Sequence, residues 1–193
     1  MDNLETKIFL HACCGPCAEW PVSELRNEKL EPVIYYYNPN IHPHFEWERR
    51  LENVKKLGEI KGVGVLFEKD YREEKWTGQA WLGRYETRCH MCYDMRMQKV
   101  AEEAKARGFS IFTTTLLVSI YQNHEAVREA ALRAADRVGV QFLYRDFRDG
   151  YRKGQQMARE DGLYRQKYCG CILSLEESDF RDKIYAGFEG SNG

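Results

Sequence analysis

No stretch of the 193-residue chain stays apolar over the roughly 20 positions that a bilayer-spanning helix needs. The apolar run Ile8 to Ala12 is far too short for a secretory core. A cytoplasmic protein with no membrane partner is the expectation. Charge of one sign is also missing: 29 basic residues face 30 acidic ones, leaving a formal net charge of -1. That balance neither demands nor excludes a nucleic-acid partner, because local patches matter more than the sum. Neither a G-x-G-x-x-G run nor a Walker sequence is present, so the usual glycine loops for dinucleotides and nucleoside triphosphates are excluded. Internal repeats and low-complexity tracts are absent too. What remains is a chain of one domain's length, 43% hydrophobic, able to bury a sizeable core, and 1–193 reads as a single α/β domain.

Apolar strand patterns alternate with amphipathic helix patterns. Strands are expected at Lys7 to Ala12, Pro32 to Tyr37, Val63 to Glu68, Ser110 to Leu117 and Gln141 to Tyr144. Helices are expected at Ala18 to Asn27, near Phe45 to Lys61, and at Cys92 to Arg107, His124 to Val138, Tyr151 to Asp161 and Leu173 to Tyr185. Asp70 to Thr87 reads as irregular or partly helical, and the tail Gly187 to Gly193 as frayed. Alternation of this kind predicts a mostly parallel, Rossmann-like (doubly wound) sheet with helices on both faces. Its ligands bind beyond the carboxyl ends of the strands.

Cysteine is what the chain has in plenty. Seven occur in three clusters: Cys13-Cys14-x-x-Cys17, Cys89-x-x-Cys92 and Cys169-x-Cys171. The odd count argues against a fully paired disulfide framework, and thiols in a reducing compartment read as ligands or catalysts. The first cluster directly follows the first strand, at the sheet's ligand-binding end. Cys14-Gly15-Pro16-Cys17 matches the C-x-x-C of dithiol exchangers, where a helix N-terminus favours the thiolate. Two C-x-x-C turns brought together also make a four-thiolate cage, which zinc and iron–sulfur clusters both accept. A third cluster exceeds what one tetrahedral cage uses, which points to redox chemistry or a second metal. His90 lies between two of the cysteines as a further ligand or outer partner.

Other polar residues fall near the same turns. Thr113, Thr114 and Thr115 end the fourth strand, where hydroxyls can bind a phosphate or sugar. Asp94, Arg96, Tyr121, Gln122, Asn123, Asp146 and Arg165 are further candidates, with Asp94, Tyr121 and Asp146 able to donate a proton. A basic stretch holds Arg145, Arg148, Arg152, Lys153, Arg159, Arg165 and Lys167. Arg152, Lys153, Arg165 and Lys167 are the expected phosphate contacts. Three functions fit the residues: an iron–sulfur redox protein, a zinc-stabilised nucleic-acid-binding module, and a CGPC-type thiol–disulfide oxidoreductase.

Four runs together carry a family resemblance. HACCGPC (His11 to Cys17), CHMCYDMRM (Cys89 to Met97), FTTTLLVSIYQN (Phe112 to Asn123) and YRQKYCGC (Tyr164 to Cys171) resemble the epoxyqueuosine reductases of the QueH type, in order along nearly the whole chain. One departure is Ile120, where that family usually has proline. The resemblance implies removal of the epoxide oxygen of epoxyqueuosine at the wobble position of tRNA, the last step of queuosine formation. It implies a [4Fe-4S] cluster without cobalamin, room for a second mononuclear iron, and an external electron donor. By position, Cys13, Cys14, Cys89 and Cys92 match the cluster cysteines. Cys169 and Cys171 match a redox-active disulfide or ligands of the second metal. Cys17 is left without a settled role, and Asp94 matches an oxygen ligand. The residues themselves offer Thr113, Thr114, Thr115, Gln122, Arg152 and Arg165 as substrate contacts, with Tyr121 beside the chemistry. Converting an epoxide to an alkene takes two electrons and two protons and releases water, which side chains and zinc do not supply.

Overall fold

A computed structural model describes residues 6–80 and 82–189, with side chains through residue 187. Five strands form one all-parallel sheet: β1 (Thr6–His11), β2 (Leu30–Tyr36), β3 (Val65–Phe67), β4 (Ile111–Thr114) and β5 (Gln141–Phe142), in the order β3-β2-β1-β4-β5. Central β1 is the clearest case of sequence dictating position. Ile8, Phe9, Leu10 and His11 are all fully buried, the continuous burial expected of a parallel strand covered on both faces.

Strand order reverses at β1, so right-handed crossovers place the connecting helices on opposite faces. Helices α1 (Gly15–Asn27), α2 (His44–Lys61) and α6 (Tyr151–Glu160) pack together; α4 (Arg88–Ala106) and α5 (His124–Val138) pack against each other. These two helices bury Val100, Ala101, Ala104, Ala130, Ala131 and Ala134, small residues that allow close approach. Short helices α3 (Glu73–Ala80), α7 (Ile172–Glu176) and α8 (Arg181–Glu189) complete the set.

The expected elements are present, with different ends. β4 stops at Thr114, not Leu117, because the Thr114 hydroxyl accepts from the Leu116 amide and turns the chain into a 3-10 turn over Thr115–Val118. α1 starts at Gly15, three positions before the expected Ala18, with Pro16 in its first turn, where proline's missing N–H costs nothing. α4 starts at Arg88 with Thr87 as its cap, so Cys89 and Cys92 both lie inside it. The expected closing helix over 173–185 is two helices, broken where the Ser178 hydroxyl accepts from the Phe180 amide. Within 70–87, α3 is regular and the rest is largely irregular. Of the tail expected to fray, Gly187 lies in α8 and residues 190–193 fall outside the described residues. No helix among the described residues is long and apolar enough to cross a membrane.

Candidate metal centre and substrate pocket

Each cysteine cluster sits at a helix start. Cys14 is the cap residue of α1 and Cys17 lies in its first turn. Cys89 and Cys92, three apart, share one face of the first turn of α4. The Cys171 sulfur caps α7, accepting from the Ser174 amide at 3.3 Å. Helix N-termini carry partial positive charge, which favours thiolates there.

The first cluster is compact. The Sγ atoms of Cys13, Cys14 and Cys17 lie within 4.8 Å of one another. Cys13 and Cys14 are 3.8 Å apart, close to the about 3.8 Å that two sulfurs subtend on one tetrahedral ion with bonds of about 2.3 Å. Three thiols this close share charge unequally. Donation from Cys14 and Cys17 holds the Cys13 thiol well below its usual range. Burial pushes Cys14 up, and its bonds to Cys13 and Cys14 push Cys17 up. The Gln166 amide donates to Cys14 at 3.0 Å and approaches Cys17 at 3.6 Å. Its own oxygen is buried without a partner among the described residues. The donor set and its spacing suit a metal, and Cys13, Cys14 and Cys17 can hold one.

The other four thiols gather beside them. Cys92 and Cys171 pack in one small core with Trp76 and Met91. Burial raises the Cys89 thiol, and charge on Cys169 and Cys171 raises it further, so these groups are electrostatic neighbours. Burial pushes Cys92 up to about 11. All seven cysteines are free thiols, Cys169 and Cys171 included, so the expected disulfide between these two is not formed here.

Cys13, Cys17 and Cys169 line one cavity of about 320 Å³, large enough for a small organic group. Two buried arginines share its wall. Arg50 pairs with Glu46 at 2.7 Å and donates to the carbonyls of Tyr168 and Cys169. Arg96 donates to Asn38 Oδ1 at 2.7 Å and lies 3.9 Å from the Cys92 sulfur. Behind them His11 ties the strand ends together, bonding Thr114 at 2.8 Å and the Tyr37 carbonyl at 3.1 Å. Burial and then Arg96 lower its pKa to about 3, so the ring is neutral.

Of the residues singled out in the sequence, Tyr121 and Gln122 line this cavity, as does Lys167. Gln122 donates to Cys169 at 3.7 Å. Tyr121 is 79% exposed at the mouth, its ring edge-on to Tyr151. The three threonines are fully buried and turned inward: Thr113 donates to the Leu143 carbonyl, Thr114 bonds His11, and Thr115 accepts from the Cys13 amide. The Thr115 hydroxyl braces the cysteine loop from behind, and none of the three lines the cavity. Asp94 faces a separate cavity, bonded to Tyr85 at 3.0 Å and paired with Arg133 at 3.2 Å. Asp146 is engaged by Arg148 on the surface, and His90 bonds Thr87 at the start of α4. Arg152 and Arg165 line a groove on α6, with Arg159, that shares Tyr151 and Gln155 with the thiol cavity. Lys153 lies over the Trp20 ring.

The sequence model described as Epoxyqueuosine reductase QueH matches residues 8–177. The chain belongs to the QueH family. Within that family it is 33% identical over 171 residues to the epoxyqueuosine reductase QueH of Dehalococcoides mccartyi, covering 89% of this chain and 93% of the relative. To that of Thermotoga maritima it is 33% identical over 178 residues, covering 88% and 91%. Among solved structures, a predicted subunit of a tRNA methyltransferase from Methanocaldococcus jannaschii superposes with a TM-score of 0.50 at 12% identity, covering 79% of this chain and 75% of that one. That likeness concerns the α/β fold alone. QueH membership makes the chain an oxidoreductase by family and matches the span over which the thiols converge.

Sequence reading missed Arg50, His42 and Gln166 as parts of this site. The α2 pair Glu46 and Arg50, four apart, looks like any surface helix pair until both prove buried at 1% exposure or less. His42 is buried too; its Nδ1 accepts from the Ile172 amide, and its main chain bonds Gly170 and Tyr168. Gln166 lies inside the YRQKYCGC run, a local signal that was available.

Proposed function

We propose that the chain reduces epoxyqueuosine to queuosine in tRNA anticodons, binding the modified nucleoside in the cavity lined by Cys13, Cys17 and Cys169. The observation that carries this reading is that the first and third thiol clusters share one pocket, with Arg96 on its wall facing the Cys92 sulfur of the second, in a QueH-family chain. Cysteines occupy the place where a nucleotide-binding relative carries glycines, so the site is built for a thiolate-bound centre. That centre is proposed to be a [4Fe-4S] cluster, drawing on Cys13, Cys14, Cys89 and Cys92, with a second iron beside it; when bound, it supplies electrons. No cobalamin enters the reading, and an external donor provides the reducing equivalents. Residues 1–193 act as one domain in the cytoplasm.

The chain's own groups divide the remaining work. Cys169 and Cys171 act as a redox pair or as ligands of the second iron. Gln122 and Lys167 hold the nucleoside at the wall, and Tyr121 at the mouth takes a stacking position suited to a flanking base. Its phenol, rather than distant Asp94 or Asp146, is the proton donor the geometry favours. Arg152 and Arg165, with Arg159, take anticodon-loop phosphates in the adjoining groove.

The test is anaerobic. Purified chain loaded with iron and sulfide is given a reductant and tRNA carrying epoxyqueuosine, and the nucleosides are resolved by mass. Conversion to a nucleoside lighter by one oxygen atom is expected. A fully loaded protein that binds the tRNA and converts none of it overturns the reading. A colourless zinc protein would favour the binding module, and a metal-free chain that reduces disulfides would favour the exchanger.

A further inference from the structure

Arg96 carries a buried positive charge that no carboxylate among the described residues balances. It is 2% exposed. Nη2 donates to the Asn38 amide oxygen, Nη1 faces the Cys92 sulfur, and Nε has no partner among the described residues. No acidic group lies within ion-pair distance of it there, whereas the other buried arginine of the pocket, Arg50, holds Glu46 at 2.7 Å. An arginine cannot escape this cost by losing its proton. An unpaired buried charge is strongly destabilising, so the anion that balances Arg96 must come from its surroundings.

The surroundings are sulfur. The Cys92 sulfur lies 3.9 Å from Arg96 Nη1, and Cys13 and Cys169 line the same cavity wall, so the groups that can face Arg96 with negative charge once they lose their protons are thiols from all three sequence clusters. Asn38 fixes the guanidinium from behind while its own amide donates to the Ala12 carbonyl, locking the cation to the cysteine loop. A thiol that binds a metal gives up its proton, so a loaded site brings net negative charge to this position.

We propose that Arg96 is the fixed countercharge of the sulfur site, balancing the negative charge of the metal-bound thiolates and raising the potential at which the bound centre accepts an electron. The inference rests on the reading of these thiols as a redox metal site. A nearby cation stabilises the more negative, reduced state of such a centre. In this role Arg96 acts through the charge it holds beside the thiols.

The experiment compares wild type with Arg96→Met and Arg96→Lys, each loaded anaerobically to matched iron and sulfide content. Redox titration followed by electron paramagnetic resonance is expected to place the Met variant at a more negative midpoint than wild type, with Lys between them. Melting curves give an independent readout. Metal-free Arg96→Met should melt higher than metal-free wild type, since an uncompensated cation is gone, and should gain less on loading. Wild-type potentials in both variants, with a wild-type gain on loading, overturn the proposal. If the Met variant cannot be loaded, the metal-free melt decides: a higher melting temperature supports the countercharge, and a lower one makes Arg96 a packing residue. A wild-type chain that takes up neither iron nor sulfide removes the metal-site reading itself, whereas normal loading with an unmoved potential removes only the countercharge.

Discussion

Arg50 donates from Nη1 to the carbonyl oxygen of Cys169 at 3.0 Å, across 119 positions of sequence. Its Nη2 holds the Tyr168 carbonyl, and its Nε holds Glu46, which Tyr164 also bonds through its hydroxyl. Helix α2 thereby anchors the loop that carries the third thiol pair.

Breaking that anchor should be costly. Arg50→Gln leaves the Glu46 carboxylate buried without its cation, a loss of about 3–5 kcal/mol. Urea unfolding measures it, and the double variant with Glu46→Gln should recover a large part. A single-variant loss below about 1 kcal/mol would show that the pair does not hold the loop.

Gly170 separates Cys169 from Cys171 at φ +131°, a conformation that residues with a Cβ rarely adopt. A Cβ there would also meet Ile41 Cγ1 at 3.0 Å and Arg50 Nη1 at 3.2 Å. Gly170→Ala should destabilise the fold by about 1–3 kcal/mol and reduce metal uptake per chain. An unchanged melting temperature with full metal content would contradict this.

His42 gives the protein an acid limit. Burial lowers its pKa from the ordinary 6.5 to about 4. Between those values the unfolded chain binds more protons than the folded one, so stability is full above pH about 6.5 and is lost as pH falls toward about 4. The shift corresponds to about 3 kcal/mol at most. Protonated Nδ1 can no longer accept from Ile172, so the third cluster's loop loosens with it. Denaturant unfolding at several pH values should show a shallower acid slope for His42→Asn than for wild type.

Cys169→Ser and Cys171→Ser test the redox pair. Serine is a good helix cap, so Cys171→Ser keeps the start of α7 and isolates the sulfur chemistry. Single-turnover reduction of the epoxide should fall at least tenfold in each. Unchanged turnover with an intact metal centre rules the pair out.

Reversing the charges of Arg152 and Arg165 together should weaken tRNA binding and reduce its salt dependence, by a slope of about 0.7–0.9 for each phosphate that is no longer neutralised. Binding measured across a salt series decides. Affinity unmoved by both charge and salt would make the α6 groove ordinary surface.

The sheet and the gathering of the thiols were legible in the sequence because both rest on local pattern. KIFLHA reads as a buried strand, and the first cluster, at the turn from β1 into α1, falls at the carboxyl end of a parallel sheet. Element ends were less legible: Thr114 stops its strand with a side-chain bond that propensity does not register. Asp94 entered as a polar candidate and, by resemblance, as an oxygen ligand; two positions after Cys92 on the helix it faces another way, and here it pairs with Arg133 and bonds Tyr85. Arg50 and His42 were invisible for a different reason. Their partners lie more than a hundred positions away, and only the folded chain reveals that they are buried.

The Gln166 amide reaches Cys14 across 152 positions, and the Arg50 bonds to the third cluster's loop span nearly as far. Contacts of such long range close late on a folding pathway. A chain still searching for its native arrangement therefore offers incoming metal only separate local clusters, of which the trio Cys13, Cys14 and Cys17 has the most thiols, and the complete set of donors exists only after folding. Maturation should accordingly follow folding, and refolding in the presence of excess metal should risk capture by the trio alone, seen as chains carrying less metal than those loaded in the native state.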